Sequence, residues 1–267
     1  MRIALVVLAI LAFLYLTALV SLALGQRALI YPAPKAASIN PADVPPGFAP
    51  VTLATRDGLH LHAAYRTAAP GHPTLVFFHG NGSRIEESAL ATALLGQRGN
   101  GLLLVEYRGY RGNPGKPSEQ GLYADGRAAL AWLDGHGVPA NQRILIGNSL
   151  GSGVATQLAT EQPIAGLVLI SGFTSLPDVA AGHYPWLPAR LLLRDRYDNL
   201  TKLPQVSAPV LVLHGTADTL IPASHARALA AAAPRADLEL VPGYGHELAF
   251  EPVAQARILA WLGALQR

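Results

Sequence analysis

Apolar residues fall along this chain in two patterns. The first is a single block. Residues 3–24 carry no charge, and Thr17 and Ser21 are the only polar side chains among them. Wound as a helix at about 1.5 Å per residue, the block reaches about 33 Å, enough to cross a hydrocarbon core. A buried helix of a soluble domain keeps a polar stripe, and this block has none. The second pattern is a series of short apolar runs: residues 74–78, 102–105, 144–146, 167–170 and 210–213. Unbroken runs of this length suit strands covered on both faces of a parallel sheet. Leu59, Leu61, Ala63 and Tyr65 alternate with polar or small residues, as in a half-buried antiparallel strand. Residues 238–241 form a last strand. Helix-length segments separate the runs, at residues 86–98, 119–133, 150–160, 223–233 and 252–265. Such alternation predicts a doubly wound α/β sheet with helices on both faces.

Between the block and the sheet, residues 31–50 are rich in proline and alanine, with Pro32, Pro34, Pro41, Pro45, Pro46 and Pro50. This composition predicts an extended linker. The chain therefore divides into a membrane or signal segment (1–27), a linker (28–50) and a catalytic domain (51–267). The length of the block favours an uncleaved, single-pass anchor; Ser21-Leu22-Ala23 leaves a signal-cleavage site, and with it secretion, as the alternative. Arg2 ahead of the block favours a cytoplasmic N-terminus with the domain on the extracytoplasmic (periplasmic) side, while Arg27 and Lys35 on the other flank weigh against that orientation.

Composition narrows the chemistry. The 267 residues are 51% apolar and 14% charged, which excludes a disordered chain. Cysteine is absent, so thiolate nucleophiles, disulfides and zinc–cysteine sites are excluded together. A net charge of +3 without any Lys/Arg block argues against a nucleic-acid partner. No two histidines or carboxylates show metal-ligand spacing, so no metal is expected.

Open α/β sheets place their sites at the carboxyl ends of the strands. Gly147-Asn148-Ser149-Leu150-Gly151 follows the run 144–146 and precedes a helical stretch. This is G-x-S-x-G in its strand–turn–helix setting, which lifts a serine hydroxyl above the sheet. The expected chain order is serine, acid, histidine. Asp218 follows the run 210–213, and His246 lies in Pro242-Gly243-Tyr244-Gly245-His246 after the last strand. His246 would take the proton from Ser149, and Asp218 would orient the imidazole. Asp237 lies at the wrong end of a strand, and no buried strand precedes Asp195 or Asp198. His79-Gly80-Asn81-Gly82 follows the first parallel run. Its Asn81 N–H and the Leu150 N–H are the candidate oxyanion donors. His79 and His214 directly follow buried strands and are expected to shape loops.

Together these motifs resemble an α/β-hydrolase-fold serine hydrolase, from residue 51 to the C-terminus. The chain is similar within that superfamily to the small membrane-anchored abhydrolase-domain proteins related to the yeast bud-emergence homologue. The similarity rests on His79-Gly80-Asn81-Gly82, Tyr107-Arg108-Gly109-Tyr110, residues 113–122, the elbow, Phe173-Thr174-Ser175-Leu176, residues 214–218, and Gly243-Tyr244-Gly245-His246. Arg111 stands where the family more often has a small residue. The resemblance implies a mostly parallel sheet of about eight strands, with carboxylic-ester or thioester hydrolysis and no cofactor. A segment spanning 172–208, with Trp186 and three leucines at 191–193, reads as a small lid or as a packed helical connection. Tyr110 and Trp186 are candidate substrate contacts, and the expected substrate is a small or lipid-like acyl ester. The readings from other classes are a membrane-tethered, non-catalytic scaffold, and an acyltransferase or peptidase using the same three residues.

Overall fold

The apolar runs form the middle of one eight-stranded sheet. The computed structural model describes residues 1–32 and 44–265. In chain order the elements are α1 (Arg2–Ile30), β1 (Ala49–Ala54), β2 (His60–Arg66), β3 (Thr74–Phe78), α2 (Ile85–Ala91), α3 (Ala93–Gln97), β4 (Gly101–Val105), α4 (Glu119–Gly135), β5 (Arg143–Asn148) and α5 (Leu150–Glu161). They continue with β6 (Gly166–Ile170), α6 (Leu176–His183), α7 (Ala189–Leu192), α8 (Asn199–Lys202), β7 (Val210–Gly215), α9 (Ala223–Ala232), β8 (Ala236–Val241) and α10 (Pro252–Leu265). The strand order is β1-β2-β4-β3-β5-β6-β7-β8. β2 is antiparallel to both β1 and β4, and from β4 onward every pairing is parallel.

Side chains along each central strand alternate between two cores. Val76, Phe78, Leu103, Leu145, Leu169 and Val212 face one layer, which includes Leu122 and Leu130 of α4, Val154 and Leu158 of α5, and Leu229 of α9. Leu75, Phe77, Leu104, Ile146, Val168 and Leu213 face the other, with Ile85 of α2, Leu95 of α3, and Ile258 and Trp261 of α10. The runs lack alternation in sequence because both faces are covered.

Two elements differ from expectation. The segment 86–98 is two helices broken at Thr92, whose hydroxyl bonds back to the Ser88 carbonyl at 2.8 Å. That local bond competes with helix continuation. β1, unpredicted and reaching into the expected linker, pairs along all of Ala49–Ala54 with β2 and buries Leu53. Residues 33–43 of the expected linker lie outside the described residues.

α1 is long and apolar enough to cross a membrane, and its central stretch is exposed. It extends three residues past the expected end of the segment, to Ile30. Its last turns dock on the segment between β6 and β7, here called the cap. Gln26 is buried there; its Nε2 donates to the carbonyls of Ala23 (2.7 Å) and Leu192 (3.2 Å), and its Oε1 accepts from Arg194 N–H at 2.7 Å. Arg27 pairs with Asp195 at 3.0 Å, and the Tyr31 hydroxyl donates to the same carboxylate at 3.0 Å. Further up the helix, the Tyr15 hydroxyl donates to the Trp186 carbonyl at 2.9 Å.

Candidate active site

β5 ends at Asn148, and α5 begins at Leu150. Ser149 is the single residue between them, at φ 49° and ψ −115°. A non-glycine residue in this region costs of order 1–3 kcal/mol and persists only where its surroundings over-determine it. Here they do. The Ser149 N–H donates to the Ile170 carbonyl at 2.9 Å, and the Ser149 carbonyl accepts from Ser152 N–H at 2.9 Å. The flanking glycines permit the close approach. A Cβ on Gly147 would lie 2.5 Å from the Gly151 carbonyl oxygen, and one on Gly151 would run into the Phe78 carbonyl.

Above the sheet the structure brings Ser149, His246 and Asp218 together. Ser149 Oγ is 3.0 Å from His246 Nε2, and His246 Nδ1 is 2.8 Å from Asp218 Oδ2. The other carboxylate oxygen of Asp218 accepts the N–H groups of Leu220 (3.0 Å) and Ile221 (2.8 Å). Burial by itself would raise this carboxyl, but hydrogen bonds from His214, His246 and Ile221 N–H outweigh it and hold it well below the usual carboxylate range. Ionised and fixed on both oxygens, Asp218 can accept a proton carried on Nδ1 of His246, an arrangement that would leave Nε2 facing the Ser149 hydroxyl. His214 Nε2 lies 3.4 Å from Asp218, yet its shorter bond, 2.7 Å, goes to the Ile221 carbonyl. The other acids weighed from sequence are engaged elsewhere: Asp237 accepts from Trp261 Nε1, Asp195 holds Arg27, and Asp198 caps α8.

Two loops hold this arrangement. Ala217 N–H donates to the Tyr244 carbonyl at 2.9 Å, and Gly243 N–H to Thr216 Oγ1 at 3.0 Å, which ties the Asp218 loop to the His246 loop. Ser171, at the end of β6, donates to the His246 carbonyl at 3.1 Å.

The opposite wall is the loop after β3. Asn81 lines a cavity of about 340 Å³ together with Gly80, Asn148, Ser149, Leu220 and His246. Leu150 N–H, the first of α5, belongs to the helix-terminal donors that have no intrahelical partner. A network invisible in the sequence braces this loop. His79 Nε2 meets Glu106 at 3.0 Å, and the other Glu106 oxygen accepts Ile85 N–H. The Tyr107 hydroxyl donates to the His79 carbonyl, and the Tyr110 hydroxyl to Asn81 Oδ1. Arg108 is held in turn by Asp125 and Asp57. Tyr110 is therefore a fully buried brace behind Asn81 and not a wall of the cavity. Trp186 also lies off this cavity, on the cap beside α1. Arg111 holds φ 44°, in the left-handed region that favours glycine.

Known proteins resemble this chain in sequence and fold. The profile described as "Alpha/beta hydrolase family" matches residues 75–199, and that of "Serine aminopeptidase, S33" matches residues 191–253. An uncharacterised Mycobacterium tuberculosis protein is 46% identical over 231 residues, covering 83% of this chain and 80% of that protein. This chain belongs to the alpha/beta hydrolase family. Solved structures share the fold at low identity. A Pyrococcus furiosus esterase, 19% identical, superposes with a TM-score of 0.67 over 87% of this chain and 95% of its own. A structure described as a bacterial membrane phospholipase A, 16% identical, reaches a TM-score of 0.61 over 99% of this chain and 97% of its own. The candidate site of this alpha/beta hydrolase lies at the carboxyl ends of its strands, where open α/β sheets bind their ligands.

Proposed function

We propose that this alpha/beta hydrolase is a serine hydrolase of carboxylic esters, working through Ser149, His246 and Asp218. The observation that carries the reading is the continuous relay from Asp218 to His246 to Ser149, at 2.8 and 3.0 Å, on an elbow with φ 49°. Ser149 Oγ attacks the ester carbonyl while its proton passes to His246 Nε2. The tetrahedral oxyanion is met by the N–H groups of Asn81 and Leu150. The imidazolium, stabilised by ionised Asp218, returns the proton to the leaving alkoxide, and an acyl-Ser149 ester remains. Water attacks that ester with His246 again as base, which releases the acid and restores the hydroxyl. A thioester fits the same steps with a thiolate leaving.

The anchor reading is supported by α1. Ser21-Leu22-Ala23, the candidate cleavage site, is wound inside the continuous helix, and the Ala23 carbonyl is bonded by Gln26. On the length of its apolar stretch we read α1 as a retained single-pass anchor, with the domain on the extracytoplasmic side of Arg2.

The test is a fluorophosphonate probe on wild type and on Ser149→Ala, with melting curves confirming that both are folded. Labelling of wild type alone is expected. No label on the folded wild type, or equal label on both, sinks the hydrolase reading in favour of a non-catalytic domain.

A further inference from the structure

A second and larger cavity lies beside the catalytic one. Its volume is about 650 Å³, within the roughly 300–1,000 Å³ of ligand sites. One wall is α1, through Leu22, Ala23 and Ile30; the other is the cap, through Val179, Ala180 and Leu187. Among the described residues, no Asp, Glu, Lys or Arg lines it. Its lining includes Leu220, a half-exposed residue that also lines the cavity around Ser149. That residue is tied to the catalytic groups by its backbone: its N–H donates to Asp218 Oδ1 at 3.0 Å, and its carbonyl accepts from His183 Nε2 at 2.7 Å. Leu220 thus lines both the second cavity and the one around the nucleophile.

We infer that this cavity binds the acyl chain of a membrane lipid ester, with the anchor helix itself forming one wall of the acyl site. The inference rests on the serine-hydrolase reading and names its substrate class. Three observations select an acyl chain as the occupant. The lining is mostly apolar, with Gln26 and His183 as its strongly polar side chains, which suits a hydrocarbon better than a charged ligand. One wall is the same helix that is long and apolar enough to span a bilayer, which sets the cavity directly beside the candidate anchor. The cap accompanies the helix for some distance: Tyr15 bonds Trp186, and Gln26, eleven residues on, bonds Leu192. That is about 16 Å along the axis. Along this edge the cap leaves Tyr184 and Trp186 more than half exposed and Leu191 86% exposed. Trp186, bonded to Tyr15, stands beside the middle of the apolar block at residues 3–24. A lipid thus passes sideways from bilayer to cavity without crossing water, its chain along α1 and its ester carbonyl beyond Leu220 at Ser149. α1 is accordingly part of the substrate site as well as the tether.

The experiment uses the full-length protein in phosphatidylcholine vesicles. Ala180→Trp and Ala23→Trp fill the cavity from opposite walls and touch no residue of the catalytic relay. Each is expected to lower kcat/KM on nitrophenyl palmitate at least tenfold while leaving nitrophenyl acetate within about twofold of wild type. Unchanged palmitate turnover, or equal loss on both esters, overturns the assignment. A second measurement needs no turnover. Ser149→Ala in vesicles containing a diazirine-bearing palmitoyl phosphatidylcholine should be photolabelled on peptides covering residues 22–30 and 176–193; label confined to other regions overturns it. The chain has no cysteine, so Ala23→Cys gives a clean probe for a second copy in the cavity, and a disulfide-linked dimer under mild oxidation also overturns it. Absence of fluorophosphonate label alongside photolabel in the cavity would remove the hydrolase reading and support the acyl site on its own. Fluorophosphonate label without cavity photolabel would do the reverse.

Discussion

Ser149 was legible because its requirements are local. An elbow needs small neighbours, and Gly147 and Gly151 stand where added side-chain atoms would meet the Gly151 backbone and the Phe78 carbonyl. Asp218 and His246 were legible for a related reason, since each lies just past a strand that its own apolar run announces. Glu106 and Asp125 were not. Each acts on a partner distant in sequence, His79 in one case and Arg108 in the other, and a lone acid carries no mark of such a partner. Tyr110 was misplaced for the same reason: its position at a strand end is visible in the sequence, but its direction, back onto Asn81, is not. The division of labour at Asp218 yields a residue-scale prediction. One oxygen serves His246 and the other the backbone of Leu220 and Ile221. Asp218→Asn keeps an acceptor for the backbone, so the fold should survive. It presents an uncharged amide to Nδ1, and by the behaviour of triads kcat should fall about 10³–10⁴-fold. Ester turnover near wild type in the folded variant would show that another acid orients His246.

At the scale of elements, a strand covered on both faces writes itself as an unbroken apolar run, and the five such runs became β3 to β7. Elements whose identity depends on a neighbour were harder to read. β1 is an edge strand whose partner β2 supplies most of its definition, and the break between α2 and α3 turns on one threonine hydroxyl. The cap is made of short helices, α6 to α8, that lack a sequence period of their own. Its attachment to α9 carries a prediction about pH. His225 Nδ1 accepts from Thr174 N–H at 3.2 Å and lies 2.8 Å from the Thr174 hydroxyl, which itself reaches Asp178 of α6. Burial lowers the His225 pKa, and this outweighs the nearby Asp178. The folded state therefore binds this proton less readily than the unfolded chain does. Its contribution to stability is complete above the ordinary histidine value of about 6.5 and is lost as pH falls below it. Between pH 7.5 and 5.5 the Tm of wild type should fall more steeply than that of His225→Asn, whose amide keeps an acceptor and does not titrate. Parallel curves for the two proteins would show that His225 is not the group responsible.

Across the whole molecule, α1 has two parts with different jobs, and truncation separates them. The first two thirds of the helix is exposed, with Tyr15 to Trp186 as its hydrogen bond to the cap. The last turns are structural. Gln26 satisfies the Leu192 carbonyl and the Arg194 N–H, while Arg27 and Tyr31 hold the buried Asp195, and Tyr31 also meets the Tyr197 hydroxyl at 2.9 Å. Removing residues 2–21 deletes most of the membrane-length apolar block and keeps every one of these docking contacts. The product should be extracted without detergent, melt close to the full-length protein and retain turnover of short soluble esters, because none of the deleted residues lies near Ser149. Removing residues 2–31 should behave differently. It strips the partners from Asp195 and the Leu192 carbonyl and uncovers the cap leucines, and each buried polar group left unpaired costs about 1–3 kcal/mol. A buried carboxylate deprived of its cation lies at the upper end of such losses. The longer truncation should therefore lose several degrees of Tm relative to the shorter one, and its cap should become the first site of limited proteolysis. Equal melting temperatures and equal protease resistance would mean that α1 is a tether alone, and that its last turns do not belong to the fold they lie against.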